Sequence, residues 1–195
     1  LAKSLEQANL VFLLPSVGVR DPDYFALRLF AEILGGGMAS RLFQEAREKR
    51  GLAYAVDAYS ETYEDQGVLG IFAGCAAKDA AELARVAAGE VVGMTERIEA
   101  AELSRAKAQL KASMFMAREN ALSRAEHAAG QVLLFGGPLS PEHLAAEIDA
   151  VGEGDLRRLG ETMLAQRKCA ASVLGPKAAL KAGEVFNQAL TGRAA

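Results

Sequence analysis

From position 35 to 59 the chain reads GGGMASRLFQEAREKRGLAYAVDAY, and the way this stretch divides decides the rest of the arrangement. Gly35-Gly36-Gly37 stops a helix that arrives through Tyr24, Leu27, Ala31 and Leu34, residues at helical spacing. Ser40 is placed to cap a second helix carrying Leu42, Phe43 and Ala46 on one face, and Gly51 ends it. Leu52 to Ser60 then alternates as a half-buried strand does.

Upstream, Asn9 to Val17 is a nearly unbroken apolar run, which reads as a buried strand, and Asp21-Pro22 supplies an N-cap and a first-turn proline. Downstream, Val68 to Cys75 is small and apolar, and the acidic loop at Glu64-Asp65 makes it the hairpin partner of the strand at Leu52 to Ser60. From Lys78 the pattern turns helical. Leu83, Val86, Glu90 and Met94 mark one helix, and Leu103, Ala106, Leu110 and Met114 a second. A third runs from Ala121 to Phe135 and closes at Gly136-Gly137-Pro138. Ser140-Pro141 starts a short helix, Asp155 lies near the start of another, and Ala170 to Leu174 reads as a last strand.

This order lacks the regular strand–helix alternation of a doubly wound sheet. The expected class is α+β, with one mainly antiparallel sheet covered by several helices. A single domain over residues 1–195 is expected, with a weakly patterned tail from about 176.

Composition narrows the functional classes. Of 195 residues, 51% are hydrophobic and 24% charged, a globular balance. The net charge of −3 comes from interleaved acids and bases, which gives no electrostatic footprint for nucleic acid. The longest apolar stretch, Leu10 to Leu14, is too short to span a bilayer. Cys75 and Cys169 stand alone in strand-like surroundings and read as inert thiols. Leu1 stands where a Met would be, so the chain reads as a piece of a longer polypeptide whose localisation signal, if any, lies upstream. The cytoplasm, with a bacterial-type protein, is the favoured compartment.

A catalytic zinc site needs about three protein ligands, and only His127 and His143 are present. His143 and Glu147 lie one helical turn apart on what reads as a solvated helix. Ser123-Arg124-Ala125-Glu126-His127 approaches the inverted zinc motif H-x-x-E-H, but Ser123 stands where the first His is needed. No nucleophile elbow accompanies either His. The triple glycine follows a helix and lacks a Gly-Lys-Ser/Thr, unlike a phosphate loop. It is either a flexible corner or a loop whose bare backbone approaches a peptide or another domain.

Arg47 and Tyr54 flank the corner at Gly51. A guanidinium can hold peptide carbonyls, and a phenol can donate to a developing oxyanion. Alternatively Arg47 pairs with Glu48 or Asp57, and Tyr54 packs beside Leu52 and Val56. Residue chemistry alone favours this second reading.

The run from Leu34 to Tyr54 resembles the C-terminal half of the insulinase/pitrilysin zinc metallopeptidases, a family that includes the mitochondrial processing peptidase. Glu102 to Lys111, Ser123 to Glu126, Pro138 to Glu142 and Ile148 to Val151 resemble the helical part of the same half, so the likeness covers roughly residues 5 to 175. It implies one half of a clamshell around a peptide chamber. The N-terminal half would carry H-x-x-E-H and the zinc, so no cofactor is expected in this chain. The family's Arg and Tyr match Arg47 and Tyr54, which implies that Arg47 orients the substrate backbone and Tyr54 stabilises the tetrahedral intermediate. Gly35, Gly36 and Gly37 become a substrate-binding or domain-contact loop.

The implied partners are the zinc-binding half, fused or separate, and a peptide. Whether the chain counts as an enzyme stays open: alone it should be inactive. The alternative is a structural or regulatory subunit of the same fold, like the core proteins of respiratory complexes. A weaker third is a peptide-binding module without hydrolysis. Self-association of the isolated half, through the surface its partner would cover, is also expected.

Overall fold

The computed structural model describes residues 1–3 and 5–192. Strand β1 (Gln7–Val17) is followed by α1 (Tyr24–Gly35), a π-helical turn (Phe43–Glu48), and a hairpin of β2 (Ala53–Thr62) and β3 (Gln66–Ala76). Five helices come next: α2 (Ala80–Glu96), α3 (Ala100–Ala117), α4 (Ala121–Phe135), α5 (Pro141–Ala150) and α6 (Glu153–Ala165). Strand β4 (Ala170–Leu174) and helix α7 (Ala182–Thr191) close the order. The four strands form one sheet in the order β2-β3-β1-β4, and every pairing is antiparallel. The expected α+β class with one helix-covered antiparallel sheet is what the chain adopts.

Period-two alternation sets the layers. Ala8, Leu10, Phe12 and Leu14 of β1 are wholly buried beneath α1, α6 and α7, together with Leu69, Ile71 and Ala73 of β3. The intervening residues, among them Val11, Leu13, Phe72 and Tyr59, lie on the other face and are only partly buried. Across the strands Tyr59 sits opposite Gly70, and its ring lies where a Cβ of Gly70 would be, covering the glycine with aromatic surface.

Helix α1 is buried almost all round because it lies between β2 on one side and α3 and α6 on the other. It begins two residues later than the Asp21-Pro22 signal suggests. The Asp21 carboxylate accepts a hydrogen bond from the Asp23 amide at 2.8 Å, which spends it in a turn ahead of the helix. The signal at Ser140 holds as read: Pro141 is the first helical residue, and the Ser140 hydroxyl accepts from the His143 amide.

The largest departure is at the C-terminal end. The segment after 176 carries α7, whose Phe186 is wholly buried and stacks on Phe12 with ring centroids 4.0 Å apart. The last helix therefore caps the sheet and is part of the core.

Candidate functional site

The chain from Ser40 to Tyr54 is shaped by three local events. The first is the π-helical turn. The Lys49 amide reaches the Gln44 carbonyl at 3.0 Å, a five-residue step, so the turn is wider than an α-helix and Ala46 faces the core. The second is Gly51, with φ at +63° and its amide bonded to the Arg47 carbonyl. No atom lies within 4 Å of where its Cβ would be, so it is the left-handed backbone that calls for glycine here. The Leu52 amide then bonds the Ala46 carbonyl at 2.8 Å, tying the start of β2 to the end of the turn.

The third event is a β-bulge. Ala53 pairs with Cys75 and Ala55 with Gly74, so Tyr54 is the extra residue in β2. A bulge re-aims its side chain, and Tyr54 is 59% exposed. Among the described residues its hydroxyl makes no hydrogen bond. Arg47 is also exposed, with its guanidinium 4.8 Å from the centroid of the Phe43 ring. It forms no ion pair with Glu48 or Asp57, so the competing ion-pair reading is not the arrangement adopted. Both side chains thus stand at the surface on either side of the Gly51 corner.

The triple glycine divides its duties. Gly35 is buried where α1 meets β2: a Cβ there would lie 2.1 Å from the Ala58 amide nitrogen. Gly36 lies against the Glu32 carboxylate, which burial pushes above its ordinary pKa despite the nearby Arg28. Gly37, with φ at +145°, is exposed beside Met38. Gly35 therefore has a packing duty, and only Gly37 and its followers face outward. Ser40 does not cap the next helix as its position suggests. It is buried, and its hydroxyl turns back to donate to the Gly37 carbonyl at 2.6 Å.

The segment is clamped from the far side. Arg41 makes a two-pronged pair with Glu102 at 2.9 and 2.8 Å and also donates to the Arg97 carbonyl. Arg105 reaches the Ala39 carbonyl at 3.1 Å, and Gln44 that of Met38. Beside this clamp a polar cleft of about 490 Å³ is lined by Arg41, Glu45, Lys49, Glu90, Glu102 and Arg105, among others. Its charges are of both signs, and neither Arg47 nor Tyr54 borders it. Burial raises the pKa of Glu90 against the opposing pull of Arg41. Glu102 shows the reverse outcome: burial alone would raise its pKa, but hydrogen bonds from Arg41 and the Glu99 amide hold it below the usual value.

A carboxylate with a depressed folded-state pKa stabilises above its unfolded pKa, and that contribution is lost as pH falls through the folded one. Both side chains of the pair are largely covered, at 15% and 18% exposure. Arg41→Ala is expected to cost about 2 kcal/mol at pH 7. The difference from wild type should shrink below the Glu102 pKa, as read by thermal unfolding between pH 7 and 3. A constant difference across that range would rule the pair out as its source.

No group of three or more His, Cys, Asp or Glu side chains converges among the described residues. His127 and His143 lie on different exposed helices, and His143 faces Glu147 at 4.0 Å within α5. Among the described residues the donors present do not fit a zinc site. Cys75 is buried and its thiol is pushed up to about 11, by burial first and Asp79 second, which makes it a poor nucleophile. Cys169 is partly buried and its pKa is also raised by burial. No helix is long and apolar enough to cross a membrane among the described residues.

Residues 2–110 match the family model described as the peptidase M16 inactive domain. The chain is 32% identical over 177 residues to an uncharacterized zinc protease of Streptomyces coelicolor, covering 90% of this chain and 38% of that one. An uncharacterized zinc protease of Rickettsia felis is 37% identical over 160 residues, covering 79% and 38%. The chain thus spans about two fifths of the length of these relatives. Among solved structures, it superposes on a peptidase M16 inactive domain from Pseudomonas fluorescens with a TM-score of 0.78 and 23% identity, covering 91% of this chain and 43% of that one. A chain of complex III2 from Candida albicans gives 0.88 at 21% identity, covering 97% and 48%. At these identities the two structures share the fold.

Proposed function

The chain belongs to the peptidase M16 family as its inactive domain, and on that premise we propose that it completes the peptide-binding chamber of a zinc-dependent peptidase and lends Arg47 and Tyr54 to the active site. The zinc and its ligands belong, on this reading, to a second half that this chain meets, which also makes the isolated chain inactive. The observation that carries the reading is the exposed pair at the Gly51 corner. Arg47 lies at the end of a π-helical turn and Tyr54 is the bulged residue of an edge strand, and among the described residues neither side chain makes a hydrogen bond or an ion pair. A rigid, hydrogen-bonded corner that presents a guanidinium and a phenol outward suits a ligand that arrives from outside the chain.

The roles follow from the donors. The planar guanidinium of Arg47, propped on the Phe43 ring, can donate to successive carbonyls of an extended peptide. The Tyr54 hydroxyl is a single neutral donor suited to the oxygen of a carbonyl that gains negative charge as it is attacked. Gly37 and Met38 are exposed on the same segment of chain and would serve as a substrate-binding or domain-contact loop.

The test is reconstitution with the zinc-binding half. The chain alone, with zinc added, should cleave no peptide, and the joined halves should. In the joined enzyme Arg47→Ala should raise KM by about ten-fold, the loss of one charge-assisted contact. Robust cleavage by the isolated chain, or a joined Arg47→Ala enzyme with unchanged KM, would overturn the proposal. The second reading, a non-catalytic subunit, shares its fold with the complex III2 chain. It expects no cleavage even when the halves are joined.

A further inference from the structure

The π-helical turn that carries Arg47 is held from two sides by forces of different kinds. On the core side, Leu42 and Ala46 are wholly buried. Apolar packing fixes how deep the turn sits but has no direction of its own, so it leaves the turn free to rotate or slip by a residue. On the far side the tethers are polar. The Arg41 guanidinium reaches both oxygens of Glu102, at 2.9 and 2.8 Å, and the Arg97 carbonyl at 2.7 Å. Glu102 is itself fixed, because its carboxylate accepts from the Glu99 amide at 3.0 Å in the capping box of α3. Arg41 is therefore pinned to the junction of α2 and α3. Two parallel charge-assisted bonds set an orientation as well as a distance.

The turn has need of such a hold. Its Lys49 amide bonds the Gln44 carbonyl over five residues, a register that is rare beside the ordinary four-residue one. A slip of one residue would swing Arg47 about the axis by roughly 100°. Among the described residues the Arg47 side chain makes no hydrogen bond or ion pair of its own. Its guanidinium lies over the Phe43 ring, and Phe43 rides on the same turn. The aim of Arg47 is thus inherited from the turn, and that of the turn from Arg41.

We propose that Arg41 is a positioning residue, whose pair with Glu102 locks the π-helical register and so aims Arg47. The consequence for a bound peptide rests on the peptidase reading above, whereas the lock on the turn does not. A contribution to stability alone would loosen the turn and the sheet alike.

The test uses the full-length polypeptide that carries this chain, as wild type, Arg41→Ala and Lys111→Ala. The last removes a different ion pair of α3, from Lys111 to Asp149 at 2.6 Å. Amide hydrogen exchange is followed residue by residue. In Arg41→Ala the Lys49 and Leu52 amides should speed up by about ten-fold more than the amides of β1. Lys111→Ala should move the two sets equally. Arg41→Lys keeps the charge but not the two-pronged bond, and it should show the same preferential rise should the alanine variant fail to fold. Equal acceleration of the turn and β1 on changing Arg41, or none at the turn, would overturn the proposal. A double-substitution cycle then reads the aim of Arg47 in KM. Arg41→Ala should raise KM by about five-fold alone, and by less than about two-fold where Arg47 is already alanine, because a residue acting through Arg47 loses its effect with it. The same rise in both backgrounds would sink the aiming role. A polypeptide that cleaves no peptide would remove the peptidase reading, and the exchange ratio would still decide whether Arg41 locks the turn.

Discussion

Tyr54→Phe in the joined enzyme is expected to lower kcat by about 100-fold while KM stays within about two-fold of wild type. The substitution removes one oxygen and leaves the ring, so the β2 bulge that presents it should be undisturbed. Because the phenol makes no hydrogen bond among the described residues, removing it leaves no buried partner unsatisfied there and folding should not change. An interaction made mainly in the transition state lowers kcat without weakening substrate binding, and that split marks a donor to the developing oxyanion. The readout is steady-state hydrolysis of a quenched peptide, with Tyr63→Phe, another exposed tyrosine, as the control. Equal kcat for Tyr54→Phe and wild type would remove Tyr54 from the chemistry. An increase in KM alone would make it a binding residue instead.

Gly35→Ala should destabilise the fold by about 3 kcal/mol or more. One methyl group at this position would lie 2.1 Å from the Ala58 nitrogen and 2.7 Å from the Asp57 carbonyl carbon, both backbone atoms that cannot swing aside. Relief requires α1 to back away from β2, which opens the packing around Leu34 and Ala58. For a chain of this size the melting temperature should fall by roughly 6 to 12 °C. Gly89→Ala in α2 is the matched control, since nothing lies within 4 Å of its Cβ position and alanine favours a helix. If both variants melt together, the close approach of α1 to β2 is not what Gly35 is for.

Much of this arrangement is legible in the sequence. The hairpin is announced by alternation on one arm, a small apolar run on the other and an acidic loop between them. The stop at Gly51 followed from glycine chemistry, which its positive φ bears out. The triple glycine was legible as a corner but not as a contact, because a sequence shows that Gly35 lacks a side chain and not that Ala58 occupies the space. Six residues cannot distinguish a π-helical turn from an α-helical one, since the difference lies in a shift of one hydrogen-bond step at Lys49. Nor does an alternating run reveal its bulge. Tyr54 breaks the register only because Ala53 and Ala55 pair with adjacent residues of β3. The terminal helix is different, for its signal was present: Ala182, Val185, Phe186, Ala189 and Leu190 follow helical spacing.

The sheet order also has a bearing on how the chain is made. Strand β1 pairs with both β3 and β4, placing Asn9 opposite Gly74 on one side and Leu174 on the other. Its buried Phe12 is not covered until Phe186 arrives. During synthesis β1 must therefore remain open along one edge until β4 has left the ribosome. Contacts that distant slow folding and expose an apolar strand while they wait. A nascent chain cut short before residue 170 would lack both β4 and α7, leaving a sticky edge beside an uncovered aromatic. Such a product should be held by chaperones or aggregate.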